Sequence, residues 1–208
     1  MNPVGIAVRE VTFYYTEREI IFRRCSFEVA PGATCALVGP NGSGKSSLLL
    51  LIAGFYQPIS GQIVYYTGSQ IITTMRPHMA IATPLLDFPP TLSVEEVVRL
   101  HHALKPVRWD LWSVLWKQSA LAPHRHKRIG YLSSGLYQRL RLLLAFGTDA
   151  PLLLLDEPTS YLDADGRDFY HAMLQEWRQA RTVIIASNDP DEYVPYAQSQ
   201  VTLLGTKA

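Results

Sequence analysis

The stretch Gly39-Pro40-Asn41-Gly42-Ser43-Gly44-Lys45-Ser46 fits the phosphate-binding pattern G-x-x-x-x-G-K-[ST]. The apolar run 34–38 before it predicts a short buried strand, and the apolar run 46–53 after it predicts a helix that stops at Gly54. A strand that leads through a glycine-rich turn into a helix N-terminus aims several backbone N–H groups at one point, where the helix dipole also favours negative charge. The sequence therefore predicts a nucleoside triphosphate site at this turn.

Two side chains at the end of this loop have separate predicted roles. Lys45 can reach the terminal phosphates and take part in catalysis, and the Ser46 hydroxyl can bind Mg²⁺. The glycines let the backbone approach a phosphate without a Cβ in the way. The predicted nucleotide-binding residues of the loop are Gly39, Pro40, Asn41, Gly42, Ser43, Gly44, Lys45, Ser46 and Ser47.

The composition is typical of one compact domain. Hydrophobic residues make up 48% of the 208 residues and charged residues 18%, so a sizeable core is available. The net charge of +1 gives no reason to expect nucleic acid as a partner. No apolar run approaches the ~20 residues that span a bilayer, and no secretion signal is recognisable. We therefore expect a cytoplasmic protein, in which Cys25 and Cys35 are buried thiols.

The pattern along the chain changes twice. Residues 4–66 are β-rich, with alternating apolar and polar side chains. Residues 84–131 are helical, and Ser93 with Glu96 forms the capping box of a predicted helix. From residue 133 onward helices and strands alternate, which indicates a parallel sheet with helices on both faces.

Two acidic residues follow the apolar run 152–155. Such a run predicts a strand buried on both faces, whose C-terminal end opens into the ligand crevice of an α/β sheet. Asp156 is then placed to hold Mg²⁺, and Glu157 can orient or deprotonate an attacking water. The alternative for such a pair is a helix cap or a solvated turn.

Further motifs in the second half resemble those of the ATP-binding cassette (ABC) ATPases that drive membrane transporters. The run 132–139, Leu-Ser-Ser-Gly-Leu-Tyr-Gln-Arg, looks like the signature loop of that family. Asp156-Glu157-Pro158-Thr159, followed by Ser160-Tyr161-Leu162-Asp163, looks like its acidic strand end and D-loop. Because these motifs and the phosphate loop occur in the family's order and spacing, the chain is identified as a member of this family over residues 4–204.

The resemblance implies an α/β fold, a P-loop NTPase of ABC type. A parallel core sheet flanked by helices would carry an N-terminal antiparallel β subdomain and an inserted helical subdomain. We expect a single ABC ATPase domain over residues 1–208, with the core and β subdomain in 4–83 and 132–208. Residues 84–131 would form the helical subdomain, which docks on the membrane partner.

The family also implies a head-to-tail dimer of cassettes, either a homodimer or a heterodimer, that sandwiches two ATP molecules. Ser133 and Gly135 would contact the γ-phosphate bound to the other subunit, at a helix N-terminus. Tyr15, preferred to Tyr14, would stack on adenine. The plainer interpretation of Tyr15 is a strand tyrosine that packs on the sheet.

Two positions depart most from the family pattern, while Ser134 and Leu136 are milder changes in the signature run. The glutamine that usually follows the strand before the helical subdomain is replaced by Pro84, and the usual switch histidine is replaced by Asn188. Asn188 can donate a hydrogen bond toward a γ-phosphate but cannot carry the charge of a histidine, which would lower the rate. The alternative is that Asn188 only shapes a turn before a helix capped by Asp189 and begun by Pro190.

Two functions fit these observations. The first is an ATP-hydrolysing subunit, peripheral on the inner face of the cell membrane, that powers a separate transmembrane subunit. Its length resembles the small cassettes of cytochrome c biogenesis. The alternative is a weakly hydrolysing, nucleotide-gated regulatory or assembly module of a membrane complex. Glu157 favours the first function, whereas Pro84 and Asn188 favour the second.

The tryptophans at 109, 112 and 116 indicate helix packing or partner docking.

Overall fold

The structure is a computed structural model that describes residues 2–16, 20–73, 75, 78–178 and 181–204. Both ends of the expected domain, Met1 and residues 205–208, lie outside the described residues. The described strands are β1 (Gly5–Tyr14), β2 (Ile20–Val29), β3 (Thr34–Val38), β4 (Ser60–Thr67), β5 (Gln70–Ile72), β6 (Met79–Ala82), β7 (Leu152–Asp156), β8 (Thr182–Ala186) and β9 (Ser199–Thr202). The described helices are α1 (Lys45–Ile52), α2 (Val94–Leu104), α3 (Trp109–Gln118), α4 (Ser134–Gly147) and α5 (Ala164–Trp177).

A five-stranded parallel sheet with the order β6-β7-β8-β3-β9 forms the centre of the molecule. Every residue of β3, β7 and β8 is buried, which explains why these segments are almost wholly apolar in sequence. Because the strands are parallel, their carboxyl ends meet at one edge. The phosphate loop, the acidic pair and the segment that carries Asn188 all leave the sheet at this edge.

Alternate residues of the central strands face two separate cores. On one side, Leu153 and Leu155 of β7 pack with side chains of α4 and α5. On the other side, Leu152 and Leu154 pack with α1 and with the buried face of the antiparallel sheet. The predicted α/β architecture with helices on both faces is thus confirmed.

A four-stranded antiparallel sheet with the order β2-β1-β4-β5 covers α1. Its inward residues include Val8, Val11 and Phe13, whose alternation with polar residues indicates a half-buried strand. The structure therefore has the predicted antiparallel β region at its N-terminal end. Both cysteines are free thiols; Cys35 is buried as expected, whereas Cys25 is only partly buried.

Residues 84–131 contain α2, α3 and two 3₁₀ turns. The Ser93–Glu96 capping box at the start of α2 is present, because each side chain bonds the other residue's backbone N–H. Trp112 and Trp116 pack against the core, whereas Trp109 is 65% exposed. Trp109 nevertheless makes an edge contact with the His102 ring of α2, at 4.6 Å between ring centroids, so all three tryptophans take part in helix packing.

Two predicted elements near the C-terminal end differ in the structure. The last strand, which the apolar pattern predicts near 201–204, lies at Ser199–Thr202. The helix predicted after Asp189 is a single 3₁₀ turn at Pro190–Glu192, capped by Asp189. The chain continues beyond it as hydrogen-bonded turns, with the backbone N–H of Ala197 donating to the carbonyl oxygen of Tyr193 at 2.8 Å, and Pro195 lacks the N–H that a continuous helix would need there.

Candidate nucleotide-binding site

The phosphate loop connects β3 to α1, and its backbone depends on glycine most clearly at Gly39 and Gly44. Gly44, the residue before α1, has a φ of 96°, in the left-handed region. Gly39 has a φ of 147°, and a Cβ there would lie 2.1 Å from the carbonyl oxygen of Leu203. Any larger residue at Gly39 would push the loop away from β9. The loop is therefore held in the curved form that directs backbone N–H groups toward one point.

Lys45 is the first residue of α1, and its side chain folds back over the loop. It is 6% exposed, and its Nζ donates hydrogen bonds to the carbonyl oxygens of Gly39 at 2.8 Å and Pro40 at 3.4 Å. These two contacts hold the ammonium group over the loop, on the side from which the loop would receive a phosphate. The group offers its positive charge to an anion bound in the loop.

Ser46 and Asp156 meet at the mouth of the loop, although 110 residues separate them in sequence. The Ser46 hydroxyl donates a hydrogen bond to Asp156 Oδ1 at 2.9 Å. Asp156 is fully buried, and burial raises the pKa of its carboxyl group. Hydrogen bonds from Thr83 and Ser46 and the charge of Lys45 oppose that rise in pKa. A hydroxyl and a carboxylate are the hard oxygen ligands that Mg²⁺ takes together with substrate phosphates, so this pair fits the expected ion.

Glu157 lies one residue beyond the end of β7, in an unusual backbone conformation. Its φ is 45°, in the left-handed region that few residues other than glycine adopt. Its backbone N–H donates to the carbonyl oxygen of Ala186 at 2.9 Å, which ties it to the end of β8. Burial is the main reason that the pKa of its carboxyl group is raised, and the charge of Glu192 adds to the rise. A carboxylate with a raised pKa is a better proton acceptor.

Tyr15 lies beside the phosphate loop. Its hydroxyl shares a hydrogen bond with Ser47 Oγ at 2.9 Å, and its ring makes edge contacts with Phe13 and Tyr56. Tyr15 is nevertheless 44% exposed, so part of the ring remains open to a ligand. A cavity of about 440 Å³ joins this ring to the phosphate loop and Glu157.

Asn188 follows β8 and reaches the phosphate loop from the other side. Its Nδ2 donates a hydrogen bond to Asn41 Oδ1 at 2.6 Å. The predicted cap is also present, because the Asp189 side chain accepts a hydrogen bond from the backbone N–H of Asp191 at 3.1 Å. Asn188 therefore lies beside the phosphate loop and also precedes a capped turn. Both the role toward a γ-phosphate and the purely structural role in the turn stay predictions.

Ser133 and Gly135 lie at the exposed N-terminus of α4, and the Ser133 side chain caps that helix through the backbone N–H of Leu136. A Cβ on Gly135 would lie 2.9 Å from the carbonyl oxygen of Tyr161, so glycine allows α4 to approach the segment after Glu157. Among the described residues that line the phosphate-loop cavity, neither Ser133 nor Gly135 occurs. Within one chain they therefore form a second, separate surface.

Two residues that sequence analysis did not assign hold the segment after Glu157. The buried Glu192 accepts hydrogen bonds on one carboxylate oxygen from the backbone N–H of Thr159, at 2.7 Å, and from the Thr159 hydroxyl. Gln138 Nε2 donates to the carbonyl oxygen of Pro158 at 2.9 Å. Both contacts join positions that lie far apart in sequence, and no local pattern predicts them.

We expect Glu192→Ala to lower the free energy of unfolding by about 1–3 kcal/mol, because the buried N–H and hydroxyl of Thr159 would lose their acceptor. Glu192→Gln retains an acceptor oxygen and should cost less. Asp191→Ala, at the exposed neighbouring position, serves as the control for the turn. Chemical denaturation of the three variants measures the differences. Equal stabilities for the alanine and glutamine variants at Glu192 would contradict the assigned role.

A buried parallel sheet, a phosphate loop at its carboxyl edge and a serine–aspartate pair beside a carboxylate define a P-loop nucleotide-binding protein. The family model described as ABC transporter matches residues 22–160. The chain belongs to the ABC transporter family, as its ATP-binding ATPase domain. Members of this class bind and hydrolyse ATP.

Several curated relatives share between a quarter and a third of their aligned residues with this chain. The molybdate import ATP-binding protein MolC of Haemophilus influenzae is 28% identical over 96% of this chain and 79% of its own length. The cytochrome c biogenesis ATP-binding export protein CcmA of Brucella abortus is 31% identical over 83% of this chain and 80% of its own length. The glucosylceramide transporter ABCA12 of Mus musculus is 27% identical over 91% of this chain, which spans only 8% of that protein.

Solved structures show the same fold. An ATP-binding subunit of an ABC transporter superposes with a TM-score of 0.83 at 21% identity, over 96% of this chain and 85% of that one. A bacterial Atm1-family ABC exporter with ATP bound gives a TM-score of 0.82 at 23% identity, over 97% of this chain and 37% of that one. In the part of the chain that the structure describes, no helix has both the length and the apolar character needed to cross a bilayer.

Proposed function

We propose that this chain is the ATP-hydrolysing subunit of a membrane transporter, in which two cassettes dimerise around ATP and so drive a separate transmembrane subunit. The observation that carries the proposal is the hydrogen bond between Ser46 and Asp156 at the mouth of the phosphate loop, with Glu157 next in the chain. This arrangement supports a site in which metal ligands and a proton acceptor surround one terminal phosphate.

In this proposal each part of the cavity binds a different part of ATP. The backbone N–H groups of residues 39–47 and the Lys45 ammonium bind the phosphates. Ser46 and Asp156 hold Mg²⁺, which when bound neutralises phosphate charge and stabilises the leaving oxygen. The exposed part of the Tyr15 ring stacks on adenine, a contact that contributes about 1–3 kcal/mol in comparable cases.

Glu157 and Asn188 act on the reacting end of the nucleotide. Glu157 accepts a proton from the attacking water, a role supported by the raised pKa of its carboxyl group. Asn188 donates a hydrogen bond from its side-chain amide toward the γ-phosphate. Its contact with Asn41 supports this role, since that contact places the amide at the phosphate loop.

A second cassette completes the site. Ser133 is exposed and Gly135 partly buried at the N-terminus of α4, away from the cavity of their own chain, and this position supports a contact with a phosphate on the opposing subunit. Closure would then need ATP, and hydrolysis would loosen the dimer.

A groove between β6 and α2 is the surface that we assign to the transmembrane subunit. It has a volume of about 510 Å³ and is lined mainly by apolar side chains, with Leu104 at its rim 72% exposed. Docking there would hold the chain as a peripheral subunit on the inner face of the membrane. MolC is named for import and CcmA for export, and the two are similarly identical to this chain. We therefore assign neither a direction of transport nor a transported substrate.

Pro84 favours a second candidate function, a nucleotide-gated regulatory or assembly module with little turnover. At the position where the family usually has glutamine, only the backbone carbonyl of Pro84 is polar, and it accepts from Arg141 at 3.5 Å. ATP would then close the dimer without efficient hydrolysis.

Asn188→Ala separates these two functions. We expect it to lower the ATPase rate at least about tenfold, less than the loss of a full oxyanion donor, with ATP affinity little changed. Asn188→His should hold or raise the rate, since it restores the residue usual in the family. Steady-state phosphate release and ATP titration measure both effects.

Two outcomes would contradict this assignment. Measurable hydrolysis that is indifferent to Asn188→Ala would leave Asn188 as a residue of the turn before Asp189. Absence of hydrolysis in the wild-type protein, even with its membrane partner present, would favour the nucleotide-gated module.

A further inference from the structure

Thr83 follows β6 directly and precedes Pro84, and it is 2% exposed. β6 runs parallel beside β7, with Ala82 opposite Leu155. One residue further along the chain, Thr83 after β6 therefore lies beside Asp156 at the end of β7. The register of the sheet thus brings a buried hydroxyl to the carboxylate that we assign to Mg²⁺.

The hydrogen bonds of Thr83 fix the direction of its hydroxyl proton. The backbone N–H of Leu85 donates to Thr83 Oγ1 at 3.2 Å. Because a backbone N–H cannot accept a hydrogen bond, the Thr83 hydroxyl proton does not point toward Leu85. The Thr83 proton is then free to point at Asp156 Oδ2, 2.7 Å away. Because Ser46 donates to the other oxygen, each oxygen of the buried carboxylate receives one hydroxyl.

We infer that Thr83 is a positioning residue for the magnesium ligand Asp156. A carboxylate bonded at one oxygen can turn about its side-chain torsion, whereas one bonded at both oxygens is held in a single plane. Hydrogen bonds of this kind orient metal ligands, and their removal typically costs about 10–100-fold in metal affinity or activity. The inference rests on the proposed function, since it takes Asp156 as a ligand of Mg²⁺.

Thr83→Val tests the inference, because valine matches the shape of threonine and lacks only the hydroxyl. Binding of ATP to the full chain is measured over a series of Mg²⁺ concentrations and in EDTA. Binding of Mn²⁺ in the presence of ATP is followed by electron paramagnetic resonance. We expect Thr83→Val to raise about tenfold the Mg²⁺ concentration at which the effect of Mg²⁺ on ATP binding is half-maximal, and to weaken Mn²⁺ binding by a similar factor. ATP binding in EDTA should not change.

Three variants separate positioning from simple packing. Thr83→Ser restores the hydroxyl and should recover the wild-type Mg²⁺ dependence. Thr83→Ala removes the hydroxyl by a second route and should reproduce the shift. Thr182→Val is the matched control: Thr182 is fully buried opposite Leu152, at the other end of β7 from Asp156, and its hydroxyl bonds the carbonyl oxygen of Val4. We expect this control to leave the Mg²⁺ dependence unchanged.

Wild-type Mg²⁺ dependence in both Thr83→Val and Thr83→Ala would overturn the inference. An equal loss of ATP binding in EDTA and in Mg²⁺ would also overturn it, because the defect would then lie outside the metal site. If the wild-type chain binds ATP with Mg²⁺ but does not hydrolyse it, the proposed ATP-hydrolysing function is overturned. The role of Thr83 can still be tested in that case, because its test measures binding and not hydrolysis. Absence of Mg²⁺-dependent ATP binding in the wild type would overturn both.

Discussion

Lys45→Ala is expected to lower the affinity for ATP at least about 100-fold and to leave the fold intact. Hydrogen bonds to charged groups contribute about 1.5–3 kcal/mol each, and the loss of two bonds from Lys45 to the phosphates corresponds to at least that factor. The fold does not depend on this side chain, because its contacts are with the carbonyl oxygens of Gly39 and Pro40 in the loop itself. Calorimetric titration with ATP and Mg²⁺ measures the affinity, and circular dichroism checks the fold.

Lys117→Ala is the control for this variant. Lys117 is an exposed lysine on α3, in a part of the structure distant in sequence from the phosphate loop. Its removal changes the net charge equally but should leave ATP affinity unchanged. Retained micromolar affinity for ATP in a folded Lys45→Ala protein would contradict the assignment of the phosphate loop.

Much of this fold follows from features that are local in sequence. The apolar run at 152–155 predicts a strand buried on both faces, and the structure has β7 there. The Ser93–Glu96 pair predicts the start of α2 to the residue. Ser46 and Asp156 were also expected at one metal site, because each follows from a motif whose surroundings fix its place at the sheet edge. The structure brings the two side chains within hydrogen-bond distance, and the metal site itself stays a prediction.

The residues that sequence reasoning missed are set by contacts between distant segments. Thr83 reaches Asp156 only because β6 pairs with β7 in one register, and a shift of one residue would turn its side chain away. Glu192 bonds Thr159 across 33 residues of chain. A threonine or a glutamate with no motif around it is most often an ordinary surface residue, so nothing in the sequence separates these two from the rest.

Glu157→Gln carries the other large expected effect. Glutamine keeps the shape and the hydrogen-bonding capacity of Glu157 but cannot accept a proton from water. General base catalysis contributes about 10²–10⁴-fold, so we expect the ATPase rate to fall by at least about 100-fold. ATP affinity should be retained, because Lys45, Ser46 and Asp156 are unchanged. Phosphate release under steady-state conditions measures the rate.

The same variant tests dimerisation of the cassettes. If ATP binds only the closed dimer, it stabilises that dimer until the ATP is hydrolysed. With hydrolysis blocked, ATP and Mg²⁺ should shift Glu157→Gln to the mass of two cassettes in light scattering, and the wild type should return to one as ATP is consumed. Glu176→Gln on the exposed side of α5 is the matched control and should behave as the wild type. Hydrolysis at the wild-type rate would show that Glu157 is not the base. A monomeric variant with ATP bound would instead contradict the ATP-driven closure that Ser133 and Gly135 are proposed to complete.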